Sequence, residues 1–118
     1  MEIATFTGIR NINQECIYDC LKCFEITSIC LNVSLHKGHK FAETRHIVQL
    51  METLELCKLS AALLISSSPL ALQVCQVCAL SAETAASSCD NIDPGESFLQ
   101  ECVNACRKCA ESCRNLSH

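Results

Sequence analysis

The chain has 118 residues, twelve of them Cys, with a formal net charge of −4, one Tyr and no Trp. That length suits one domain around one core, and the acid excess without any basic run argues against a nucleic-acid partner. Few Gly and Pro beside abundant Ala, Leu, Ser and Glu predict an all-α chain, while Cys at about one residue in ten marks either a disulfide scaffold or a metal protein.

Residues 1–12 carry no periodicity and are expected to form a short arm. They lack a basic segment, a long apolar run and twin Arg, so no export signal is expected and the expected compartment is the cytoplasm. Thiols stay reduced there, which favours soft-metal ligation over disulfides. Burial of Cys as a small hydrophobe would explain one or two such residues, not twelve in register.

The first helix is predicted over about 13–34. It carries Cys16, Cys20, Cys23 and Cys30, with Thr27 completing a 4-3-4-3 rhythm. Lys37-Gly38 supplies a basic last turn and a Gly stop. The second helix is predicted over about 41–66. One face reads Ile47, Leu50, Leu54, Cys57, Ala61 and Leu64, and another reads Val48, Leu56, Leu59 and Leu63. A helix apolar on two sides is buried on two sides, so the second face is expected to meet another subunit. The most apolar run, Leu59 to Leu72, spans about 14 residues and contains Pro69, too short to cross a bilayer.

Ser68-Pro69 reads as an N-cap followed by Pro at the first helical position, opening a third helix over about 69–90. Its stripe is Cys75, Cys78, Ala82, Ala85 and Cys89. Asp93-Pro94-Gly95-Glu96 reads as a capping box opening a fourth helix over about 94–115. That helix holds Cys102, Cys106, Cys109 and Cys113, spaced so that all four thiols share one stripe. Short connections predict an antiparallel, up-down-up-down four-helix bundle.

Antiparallel topology gathers Cys16, Cys20, Cys23, Cys75, Cys78, Cys106, Cys109 and Cys113 in one half. Cys30, Cys89 and Cys102 fall in the other, with Cys57 near the middle. All twelve are candidate metal ligands. Cys pairs at i and i+4 stand about 5–6 Å apart at Cβ and can flank an ion that accepts near-linear coordination, as soft Cu(I) does. Zn(II) asks for four ligands in a tetrahedron, and long stripes supply few of those. His36, His39, His46 and Met51 belong to the thiol-poor half. They could form a port for metal, but the plainer reading is adopted for the histidines, a solvated His36-Lys-Gly-His39 loop, with Met51 as core packing.

These segments resemble the cysteine-rich four-helix-bundle copper-binding family, which includes the cytosolic copper storage proteins. The likeness rests on Cys16-Ile-Tyr-Asp-Cys20-Leu-Lys-Cys23, Cys57-Lys-Leu-Ser60-Ala61, Cys75-Gln-Val-Cys78 and Glu101-Cys102-Val-Asn-Ala-Cys106-Arg-Lys-Cys109-Ala-Glu-Ser-Cys113. It spans roughly residues 14–116. It implies storage of several Cu(I) ions on inward Cys side chains, often in a homotetramer.

The residues by themselves leave other thiol chemistry open. A zinc-binding bundle is one alternative, and a redox protein using the pairs Cys20/Cys23, Cys75/Cys78 and Cys106/Cys109 is another. An iron–sulfur cluster fits less well, since no Cys-Pro occurs. No Ser-His-Asp arrangement or phosphate-binding Gly loop is present, so no enzyme activity is expected.

Overall fold

In a computed structural model of the chain, residues 12–116 are described, and their elements are helical. They are α1 (Ile12–Lys37), a 3₁₀ turn (His39–Ala42), α2 (Thr44–Ile65), α3 (Ala71–Ile92) and α4 (Ser97–Arg114). The expected arm lies outside the described residues, except that Ile12 already belongs to α1.

Side-chain pairing fixes the helix directions. Cys16 meets Cys113, Cys20 meets Cys109, Cys23 meets Cys106 and Thr27 meets Cys102. Numbers rise on α1 as they fall on α4, so these helices are antiparallel. On α2 and α3, Cys57 meets Cys78, Thr53 meets Ser81 and His46 meets Ser88, again antiparallel. Ser34 of α1 meets His46 of α2, and Cys23 groups with Cys57, so α1 and α2 are antiparallel too and the expected up-down-up-down bundle follows.

Three of the four helix starts differ from expectation. α2 begins at Thr44 because His39–Ala42 makes a separate 3₁₀ turn. The proposed caps at Ser68 and Asp93 do not open their helices. Ser68 Oγ instead accepts from Leu70 N–H (3.1 Å), and Asp93 Oδ1 accepts from Gly95 N–H (3.1 Å). Both side chains close local turns, and the helices begin at Ala71 and Ser97. Such short polar side chains compete for nearby backbone donors in turns as readily as in caps. The Gly stop after α1 is present. Gly38 N–H bonds to Ser34 O (3.1 Å) and its φ of 71° and ψ of −164° lie where a side chain is strained.

Each end of the bundle is tied differently. At the end holding the α1 start and the α4 end, the buried Asp19 carboxylate accepts from Ser112, and Arg114 pairs with Glu83 on α3. At the opposite end the Phe41 and Phe98 rings pack tilted at 49° with centroids 5.8 Å apart, and Lys37 sits over Phe41 at 5.3 Å. Lys40 reaches Asp93 at 3.1 Å there.

The core holds few large side chains. Leu50 and Leu99 head the largest fully buried ones, followed by His46, Val103, Thr27 and Thr53. The remainder is chiefly Ala and sulfur. Large apolar side chains stand exposed instead on α1 (Tyr18, Leu21, Ile29, Leu35), α2 (Val48, Met51, Leu59, Ile65) and α3 (Leu72, Val77, Leu80). Met51 is 51% exposed, which corrects its expected place in the core.

Candidate metal centre

All twelve cysteines are free thiols and all are buried. The heptad-like spacing explains this, since Cys16, Cys20 and Cys23 of α1 and the whole α4 series fall on the stripe facing the bundle axis. Within one helix, i and i+4 sulfurs approach to 3.9 Å in Cys16–Cys20 and in Cys102–Cys106. Between helices, the contacts Cys16–Cys113, Cys20–Cys113, Cys20–Cys109 and Cys23–Cys106 are all 3.8 Å. α2 and α3 join the set through Cys57–Cys78 and Cys57–Cys109 at 3.8 Å and Cys78–Cys109 at 4.0 Å.

These contacts assemble into groups able to hold an ion. Cys20, Cys78, Cys109 and Cys113 have their sulfurs within 4.8 Å of one another, as do Cys16, Cys75 and Cys113, and Cys23, Cys57 and Cys109. Cys109 and Cys113 each belong to two groups. Shared sulfurs permit bridging, so ions placed here would be linked rather than isolated. The four-thiol group draws from three helices at once, and it stands beside groups of three, in keeping with the expectation that helical stripes supply few sets of four. Cys57, placed near the middle by topology, lies inside this thiol-rich end.

The opposite end is built otherwise. Cys30, His46 and Cys89 present ligand atoms within 4.8 Å of one another, all buried. His46 is 1% exposed. Its Nδ1 lies 2.8 Å from Ser88 Oγ, and its Nε2 lies 3.5 Å from Ser34 Oγ. Ser88 also lines a surface groove of about 660 Å³ shared by Lys40, Glu43, Arg45 and Gln49. The solvated-loop reading therefore fails for His46; His36 and His39 are exposed as expected, but His36 lies on the last turn of α1 and His39 opens the 3₁₀ turn. His36 Nδ1 is 2.9 Å from its own helix at Asn32 O. The sequence signal for His46 was available: counting back from Cys57 by four, three and four gives Thr53, Leu50 and His46, all buried.

Protonation is shared across the sulfur network. Hydrogen bonds from Cys109, Cys113, Cys20 and Cys57 hold Cys78 well below the ordinary thiol range. Cys113, Cys20 and Cys75 do the same for Cys16, and Cys106, Cys109 and Cys57 for Cys23. Cys102 is lowered by Cys106, Cys30 and Cys89. Their neighbours move the other way. Cys109 is pushed up, chiefly by Cys113, and Cys106 chiefly by Cys102. The Cys102 contact and burial push Cys30 up to about 12. Adjacent sulfurs thus cannot all ionise in a dry core, and each thiolate is solvated by neighbouring S–H groups. A bound cation replaces those shared protons and removes the cost of a buried negative charge. Burial lowers the pKa of His46, against smaller upward effects from Cys102 and Glu43, which keeps its imidazole neutral and able to ligate.

Known proteins share this fold. The family model described as copper storage protein matches residues 9–118. A cysteine-rich protein of Bacillus subtilis strain 168, YhjQ, is 26% identical over 109 residues, covering 92% of this chain and 99% of its own length. The crystal structure of Nmul_A1745 from Nitrosospira multiformis superposes with a TM-score of 0.82 at 34% identity, over 90% of this chain and 94% of that one. The Cu(I)-bound copper storage protein BsCsp3 superposes with a TM-score of 0.84 at 25% identity, over 92% of this chain and 100% of its own. With a buried thiol core in the matching fold, this chain belongs to the copper storage protein family.

Proposed function

We propose that this protein stores Cu(I) on its twelve inward cysteines, Cys16, Cys20, Cys23, Cys30, Cys57, Cys75, Cys78, Cys89, Cys102, Cys106, Cys109 and Cys113. The observation that carries this reading is the sharing of Cys109 and Cys113 between thiol groups, because shared thiolates suit a chain of bridged soft ions. Each incoming ion displaces thiol protons, so loading leaves the core close to neutral. Held in this way, copper is kept from redox cycling and from displacing other metals. The role is binding and storage, with no reaction assigned to the side chains. We take the whole chain as one binding unit.

No described helix is long and apolar enough to cross a membrane, and twelve free thiols suit a reducing compartment such as the cytoplasm. The exposed Val48 and Leu59 and the half-buried Leu56 and Leu63 of α2 support burial against further copies of the chain in a homo-oligomer.

One observation favours a second metal. The Cys20–Cys113 and Cys20–Cys109 contacts at 3.8 Å match the edge of a tetrahedron with Zn–S bonds of about 2.3 Å. Anaerobic titration of the reduced protein with Cu(I) tests the main reading through thiolate-to-copper absorbance. Several ions per chain are expected. Saturation below about two ions, or retention of Zn(II) against excess Cu(I), would overturn it in favour of the tetrathiolate zinc site.

A further inference from the structure

The sulfur of this core is interrupted at one level of the bundle. Above the Cys23–Cys57–Cys109 group, α1 presents Thr27, α2 presents Thr53 and then Leu50, and α3 presents Ala82 and then Ala85, all fully buried. None of these side chains is a good ligand for a soft cation. Thr27 Oγ1 lies against Cys23 (3.6 Å), Cys102 (3.8 Å) and Cys106 (3.8 Å), so it fills the gap rather than leaving space for an ion. Thr53 Oγ1 is turned aside to Ser81, 2.8 Å from its hydroxyl and 3.1 Å from its carbonyl. Only α4 carries sulfur through this level, as the Cys102–Cys106 pair at 3.9 Å.

Beyond the gap lies a ligand set of another kind. Cys30 and Cys89 come from α1 and α3, and His46 comes from α2. The tautomer in which Nδ1–H donates to Ser88 leaves the Nε2 lone pair available, with Ser34 Oγ at 3.5 Å only weakly held against it. A partner that accepts from the far N–H fixes the tautomer and the ring orientation of a ligating imidazole, and the Ser88 hydroxyl is placed to do so.

We propose that the metal core is two compartments: a major all-thiolate one, and a minor three-coordinate site of Cys30, Cys89 and the His46 imidazole, joined only by the Cys102–Cys106 pair beside Thr27. The minor site takes one soft monovalent ion in an S₂N environment. This rests on the copper reading above, and it adds a ligand and a division that storage by cysteine alone does not contain.

The test is X-ray absorption at the copper edge, with metal counting, on the full chain loaded anaerobically with Cu(I). The wild type should show a nitrogen ligand on a minor fraction of its copper. His46→Phe, which keeps a ring of similar size in the core, should lose that nitrogen signal and about one ion per chain, with the remaining copper–sulfur signal unchanged. Conversely, the triple variant C20S/C78S/C109S should lose most of its copper and keep the nitrogen-ligated ion. Thr27→Cys should bridge the gap and raise saturation by about one ion. Should the triple variant not fold, Cys89→Ser decides, since it should lose the nitrogen-ligated ion alone. A fully loaded wild type with no nitrogen ligand, or a His46→Phe protein binding as much copper as the wild type, overturns the inference and leaves storage standing. A wild type that binds no copper overturns storage itself and the inference with it.

Discussion

The two ends of this bundle solve the problem of a small core in opposite ways. The thiol-rich end, from Cys16 and Cys113 to Cys23 and Cys106, is filled with sulfur and Ala and keeps its tightest contacts at 3.8–4.0 Å between Sγ atoms. The histidine end is filled with Leu50, Leu99 and His46 and is closed by the Phe41–Phe98 pair. Hydrocarbon gives stability without a ligand. Thiols packed side by side gain less, but their protons can be exchanged for a soft cation. The difference teaches that one helical repeat can carry most of its ligands at one end and most of its hydrocarbon at the other, depending on whether the seam position carries Cys or Leu.

The strongest way to break that comparison is to remove the sulfur that only α4 supplies. The variant C106S/C109S/C113S takes one or more members from every thiol group at the rich end. It should lose well over half of the copper bound by the wild type, while its far-ultraviolet circular dichroism stays helical, since Ser is close to Cys in size and its hydroxyl can bond the carbonyl one turn back on the helix. Copper retained at wild-type level would show that the α4 stripe is packing alone. A second change acts on the other end. Leu99→Ala should destabilise the metal-free protein by about 2–5 kcal/mol in urea unfolding, through lost burial and the cavity it leaves. The copper capacity of the folded variant should not change. Loss of both together would mean that the two ends are not separable.

Much of this contrast was legible in the sequence. The 4-3-4 spacing of Cys102 through Cys113 placed every α4 thiol inward, and the antiparallel order of four helices placed Cys16, Cys20 and Cys23 opposite them. Two things were not legible. On the α2 face, Leu50, Cys57, Ala61 and Leu64 are buried as read, but Ile47 and Leu54 are only half-buried, each one residue from the innermost positions His46 and Thr53. Hydrophobicity misleads there because the innermost positions of a ligand-binding core are polar or sulfur-bearing by function. The turn residues misled for a different reason. Ser68 and Asp93 do bond nearby N–H groups, but whether those groups open a helix or close the preceding turn depends on the path of the chain between helices, which local sequence does not encode.

The finest distinction between the ends is a response to acid in the metal-free protein. Burial lowers the His46 pKa below its usual value of 6.5, opposed by the nearby Cys102 and Glu43. Above pH 6.5 the imidazole is neutral whether the chain is folded or unfolded, so its burial costs nothing extra. As pH falls through that value, the unfolded chain takes up a proton that the folded chain refuses, and stability is lost. Urea midpoints of the apo protein should therefore fall from pH 7.5 to about pH 5.5, before most carboxylates titrate. His46→Phe should flatten that part of the profile, whereas changing the exposed His36 should not. An unchanged slope in His46→Phe would place the acid sensitivity elsewhere and remove the histidine from the chemistry that sets this end apart.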